Sequence, residues 1–251
     1  MCGMDYTKNL ICLGISFFLI IVVCQNDNLF AQAVNNNEIL HLDINKISSS
    51  LDSFDLISYH PLINGKKYNK YYYGIKGHQF YNSKKFCRGE VILPDKKYTN
   101  LLLRYDIFND IVNLSSNAGK ELTNIELNKN IIVGFSIDNH LFVKYEFPQN
   151  SELTEYNGFY ELIYDGEIQV AFRWIKYISN THDNYSGEFK TERTVYMING
   201  NHFSKIKNRK DILSLFEDYE QNIKQYLRSN KFIAKKASAS EYIELMKFCE
   251  N

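Results

Sequence analysis

The chain has 251 residues, with 29 basic and 29 acidic side chains and six histidines, so it is neutral at pH 7. Interspersed signs give no electrostatic reason to expect nucleic acid, and the chain lacks the polybasic cluster expected of an anionic-membrane binder. Nineteen tyrosines and seventeen phenylalanines fit a β-rich chain, since aromatics pack well across strand pairs.

Residues 1–31 read as a secretory signal peptide. Lys8 precedes a 15-residue apolar run, Leu10 to Cys24, and small residues follow at Ala31 and Ala33. As a helix that run reaches about 22 Å, short of the roughly 30 Å hydrocarbon core of a bilayer. Cleavage after Ala31 or after Ala33 is therefore expected, with no membrane span in the mature chain. An uncleaved anchor is the competing reading, since Asp5 is untypical of the leading segment. Lipidation at Cys24 is disfavoured by bulky Val23, where a small residue belongs.

Removing residues 1–31 takes away Lys8, Asp5 and Asp27, leaving 28 basic and 27 acidic side chains on 220 residues, a net +1. That length suffices for one sizeable core. Cys2, Cys12 and Cys24 go with the signal, so Cys87 and Cys249 are the remaining thiols. An oxidising compartment would let them pair; two small buried hydrophobes is the plainer reading. No CxxC suggests a zinc ribbon or a redox site.

Residues 32–65 form a poorly specified lead-in, with Asn35-Asn36-Asn37, Ser48-Ser49-Ser50 and Pro61. Residues 66–207 read as an antiparallel β domain. Aromatic and β-branched runs are punctuated by Asn64-Gly65, Pro94 to Lys97, Asn117 to Lys120, Asp138-Asn139, Asp165-Gly166 and Asn199-Gly200. Asn-Gly and Asp-Gly favour tight hairpin turns, which need positive φ. The expected hairpins are Arg88–Leu93 with Tyr98–Tyr105, Ile131–Ile137 with Leu141–Phe147, Phe159–Tyr164 with Ile168–Ile175, and Thr194–Ile198 with His202–Ile206.

Residues 208–251 read as a helical segment packed on the sheet. Asn208 is an N-cap, with Asp211 three residues on, and Ile212, Leu215 and Phe216 make one stripe. A second helix is expected from Tyr219 to Arg228, with Ile223, Tyr226 and Leu227 inward. A third starts near Ser238 or Ser240, with Tyr242, Leu245, Met246 and Cys249 on one face. The fold class is α+β: an antiparallel β meander with two or three docked C-terminal helices.

Catalytic, cofactor and metal residues are not nominated. His41, His60, His78, His140, His182 and His202 show no ligand spacing, and His182-Asp183 falls in an expected loop from Ser179 to Gly187. In Arg104 to Asp110, an extended strand would set Asp106 and Asp110 about 13 to 14 Å apart, too far for a glycosidase pair. A tight turn in which side chains cap their own backbone, with Arg104 paired to Asp106, is the favoured reading. Tyr71-Tyr72-Tyr73 and Trp174 invite sugar stacking; alternation splits Tyr72 from its neighbours, and packing is the expected role. Trp174 reads as core beside Phe172.

The order of segments over roughly residues 86–251 resembles a family of uncharacterised exported proteins of Bacteroidota. The resemblance rests on Gly89-Glu90-Val91, Tyr98, Leu103 to Asp110, Gly158 to Gly166, Asn199-Gly200, Lys210 to Phe216 and Tyr226 to Phe232. The signal ending Phe30-Ala31-Gln32 is also typical of that phylum, while Ala171-Phe172-Arg173-Trp174 departs from an expected basic strand. The family brings no established activity and no catalytic residue. In such bacteria Asp52-Ser53-Phe54 also matches an O-glycosylation acceptor. The expectation is an exported protein, periplasmic or associated with the outer membrane, without cofactor. It would have a non-enzymatic binding or structural role, with another envelope protein as partner. The alternative is a periplasmic hydrolase or carbohydrate-binding protein with a cleft in the sheet.

Overall fold

A computed structural model describes residue 62 and residues 66–116, 123–180, 186–216 and 220–250. The expected signal peptide, nearly all of the lead-in with Ser53, and His41, His60 and His182 lie outside the described residues, as do the turn signals at 64–65 and 117–120.

Twelve strands form one sheet: β1 Lys66–Lys67, β2 Ile75–Lys76, β3 Cys87–Ile92, β4 Lys97–Asp106, β5 Ile111–Ser116 and β6 Thr123–Glu126, then β7 Gly134–Ile137, β8 His140–Tyr145, β9 Gly158–Tyr164, β10 Gln169–Ser179, β11 Gly187–Asn199 and β12 His202–Ile206. The spatial order is β1-β6-β5-β4-β3-β7-β8-β9-β10-β11-β12, with β2 paired to β11. Every pairing except β2 with β11 is antiparallel.

The four expected hairpins are all present. Asp138 and Asn139 both take positive φ, +51° and +66°, at the β7–β8 turn. In β4, Tyr98 and Leu101 are three residues apart yet both buried. The register slips opposite Gly89 and Val91, and Asn100 sits at φ +56°. The extra residue restores alternation, so Leu101, Leu103 and Tyr105 follow Tyr98 into the core. Pairings beyond those four hairpins include β5 with both β4 and β6, and β10 with β11, which match over eleven residue pairs.

The segment from β2 to Tyr81 stitches distant strands together. Its start pairs with β11, Phe80 bridges to Asp106 at the end of β4, and Tyr81 N donates to the Tyr105 carbonyl. Lys176 N on β10 donates to the Ile107 carbonyl. β4 and β10 stand five places apart in the sheet order, so the sheet curls to bring them together. One core lies inside this curl, with Leu103, Tyr105, Phe135, Phe142 and Phe159 at its centre. Phe135 and Phe142 stack at 4.8 Å, and Phe159 meets Phe135 edge-on.

The β9–β12 region is covered on both faces. On one, Val170, Phe172, Val195 and Met197 meet the helices. On the other, Tyr160, Ala171, Tyr196 and Phe203 meet Tyr145, Phe147 and Tyr156. The helices are α1 Arg209–Leu213, α2 Glu220–Ser229 and α3 Ala239–Cys249. Asn208 and Ser238 close capping boxes with Asp211 and Glu241. Ile212, Ile223, Leu227, Tyr242, Leu245 and Met246 are buried, and Tyr226 is half-buried. Short helices depend on such docking for stability.

Cys87 and Cys249 are free thiols, and they pack against different cores. Among the described residues, no helix is long and apolar enough to cross a membrane.

Candidate functional site

Polar chemistry inside the curl centres on Glu161. Its partner on β8 is Phe142, so its side chain points to the inner face, where it is 5% exposed. Three elements converge on it. Trp174 Nε1 on β10 donates to Oε2 at 2.5 Å, and the Tyr81 hydroxyl donates to the same oxygen at 3.4 Å. His140 Nδ1, two residues before Phe142, lies 2.5 Å from Oε1. Carboxylate oxygens accept, so Nδ1 carries the proton of that bond. Tyr81 is also edge-on to His140, Phe142 and Trp174. Burial, and then Glu161, push the Tyr81 phenol well above its ordinary range. The His140 side chain is 40% exposed, so the cluster reaches solvent through the imidazole.

A second polar layer lies on the outer face of β4. Asp106 is fully buried, and it closes the turn Ile107–Asp110. Its Oδ1 accepts from Phe108 N and Asn109 N at 3.0 Å each, and its Oδ2 from Asn109 Nδ2 and the Tyr68 hydroxyl at 2.7 Å. Gln79 Nε2 donates to Tyr68 in turn. The tight-turn reading of Arg104 to Asp110 therefore holds, but the expected Arg104–Asp106 pair does not form. Arg104 instead lies 3.7 Å over the Phe80 ring and donates to the Lys84 carbonyl, because Tyr68 and Asn109 already occupy Asp106. Asp110 accepts from Tyr105 and Lys129.

Lys176 joins the two layers. It follows Trp174 on the same face of β10, and its Nζ donates to the His78 and Phe80 carbonyls at 2.7 Å. Burial pulls its amine down to about 8. His78 is also lowered, by burial first and then by Lys176 and Lys84.

Among the tyrosines at 71–73, the packing expectation holds only for Tyr72. Tyr72 meets Phe108 and Phe189 edge-on, whereas Tyr71 is 63% and Tyr73 89% exposed. Tyr71 and Tyr73 instead stack on each other, with ring centroids 6.4 Å apart. Trp174 is only partly buried, because it bridges the curled core and the helix-covered core.

No group of three His, Cys, Asp or Glu among the described residues has metal-binding geometry. An open concavity of about 380 Å³ lies between β12 and the end of α1, lined by Ile168, Met197, Asn199, His202, Ser204 and Leu215. Neither Glu161 nor Lys176 lines it. Sequence reasoning missed Glu161 because a lone acid in an aromatic strand carries no motif, and its partners come from three distant segments. Comparisons with protein-family models, with curated proteins and with solved structures return no match.

Proposed function

We propose that this chain is an exported protein of a bacterial envelope, of the kind found in Bacteroidota, with a non-enzymatic binding or structural role. The observation that carries the non-catalytic part is the engagement of Glu161. Both of its oxygens are taken by donors from Trp174, His140 and Tyr81, and the side chain is buried. Such an acid cross-links three segments of the curl and has little left to offer a substrate. The apolar run ending in Ala31 and Ala33 supports export. The expected partner is another component of the envelope.

N-terminal sequencing of the protein recovered from fractionated source cells tests export. A start at Gln32 or Val34 in the periplasm or outer-membrane fraction is the expected result. A start at residue 1 in the cytoplasm overturns it. Cross-linking in envelope fractions then separates a partnered protein from a free one.

One observation favours a second reading, a periplasmic hydrolase. Glu161 orients His140 through Nδ1, and Nε2 of the half-exposed ring has no protein partner among the described residues. That is the orienting half of a nucleophile-activating triad. Ester or glycoside hydrolysis that disappears in a stable His140→Gln variant would replace the non-catalytic reading.

A further inference from the structure

The basic side chains are not spread evenly. Residues 66–88 contain Lys66, Lys67, Lys70, Lys76, Lys84, Lys85 and Arg88 and not one Asp or Glu, which leaves 22 basic against 29 acidic side chains on the rest of the chain. All seven are exposed. Lys76 pairs with Glu188 at 3.9 Å, and Lys66 stands opposite Glu126 in the β1–β6 register. The other five have no acidic partner within 4 Å among the described residues.

The fold draws part of this segment together around Arg104. Its guanidinium lies on Phe80 and 4.3 Å over Phe86, reaches the Lys84 carbonyl, and is within electrostatic reach of Tyr71. Beside Lys70 stand the two most exposed large rings of the described residues. Tyr71 and Tyr73 have centroids 6.4 Å apart and planes 30° from each other. Like charges gathered beside two exposed aromatic rings make a surface suited to an anionic ligand.

We infer that the 66–88 segment is a binding surface for an anionic polysaccharide, with Tyr71 and Tyr73 stacking on sugar rings and the neighbouring lysines on acidic groups. The inference rests on the exported binding role proposed above and names its ligand. One feature favours a polysaccharide over single-stranded nucleic acid. The ring spacing of 6.4 Å is about twice the ~3.4 Å repeat of stacked bases and near the length of one pyranose unit. A membrane surface is disfavoured, because the segment presents tyrosines on short strands and loops rather than an apolar helical face.

The test measures binding of the purified full chain to polygalacturonate at low and high salt, beside neutral dextran. The expected result is binding to polygalacturonate alone, weakened by salt. A Lys67→Glu/Lys70→Glu/Lys84→Glu variant should lose at least about tenfold in affinity. Tyr71→Ala/Tyr73→Ala, which keeps every charge, should lose roughly fivefold. Circular dichroism checks that both variants fold, as the exposure of all five side chains leads one to expect. No binding to polygalacturonate overturns the inference, as does an unchanged affinity in the tyrosine variant. Tighter binding to oligothymidylate or to phosphatidylglycerol vesicles overturns it too. Export is decided separately by N-terminal sequencing. An exported chain that ignores polygalacturonate sinks the ligand alone, and a cytoplasmic chain sinks the envelope role alone.

Discussion

Trp174 Nε1 donates to Glu161 Oε2 at 2.5 Å, and this bond ties β10 to β9 inside the curl. Trp174 is the single tryptophan of the chain, so the bond contains its own fluorescent reporter. Trp174→Phe leaves a buried acceptor one donor short, at a cost of about 1–3 kcal/mol. Glu161→Leu strands the donors instead. The double variant should cost less than the sum of the two, because it removes both ends of the bond. Urea unfolding of the four proteins measures the cycle; strict additivity would mean that the bond adds nothing to stability.

Lys176 makes stability depend on pH in an unusual direction. Its amine is held down to about 8 by burial, against 10.5 for an exposed lysine. Below pH 8 both folded and unfolded chains carry the charge, and the cost of burying it is fully present. Between about 8 and 10.5 the folded chain has shed a proton that the unfolded chain keeps, so stability rises with pH. Wild type should therefore gain on Lys176→Met between pH 8 and 10, read as the difference of their urea midpoints. The tyrosines oppose this above pH 10. Tyr145 is held up to about 12 by burial, and Tyr68, Tyr81, Tyr105, Tyr160 and Tyr242 are raised by the same cause. There the folded chain keeps protons that the unfolded chain loses, so both proteins should weaken together.

Gly89 is required by a close approach of backbones. A Cβ at this position would stand 2.1 Å from the Ser136 carbonyl oxygen and 3.0 Å from Leu103 Cδ1. The oxygen belongs to β7, which pairs with β3 here, and it cannot retreat without breaking the ladder. Gly89→Ala should cost at least about 3 kcal/mol in chemical denaturation. Gly200 is the control: its φ is +55°, but nothing lies within 4 Å of its Cβ direction. Gly200→Ala should cost only about 1 kcal/mol.

The Cys249 thiol is pushed up to about 11 by burial against the helix-covered core. At pH 8 its thiolate is scarce compared with that of a free cysteine. Alkylation by iodoacetamide should be slower by roughly a hundredfold. Mass spectrometry of the native protein after timed alkylation gives the rate, and labelling of Cys249 as fast as a free thiol would contradict the burial.

Local chemistry was legible in the sequence. Asp138-Asn139 and Asn199-Gly200 announced turns that the backbone makes with positive φ. Asn208 with Asp211, and Ser238 with Glu241, close capping boxes three residues apart. The stripe at Tyr242, Leu245 and Met246 faces the core as its spacing implies. The long β10–β11 hairpin was hidden, because a polar connection between two runs says nothing about how far they pair. The charge of residues 66–88 was present in the sequence too, but averaging over a neutral chain erased it.

The sequence by itself therefore determined the α+β class, the hairpin turns and the helix caps, since each depends on residues a few positions apart. Only the tertiary structure decided that β3 lies beside β7, that the segment from β2 to Tyr81 closes the curl, and that Glu161 meets Tyr81, His140 and Trp174. Those contacts span 80, 21 and 13 positions of chain. They arise because one aromatic core must be enclosed, and no local spacing encodes which distant strands enclose it.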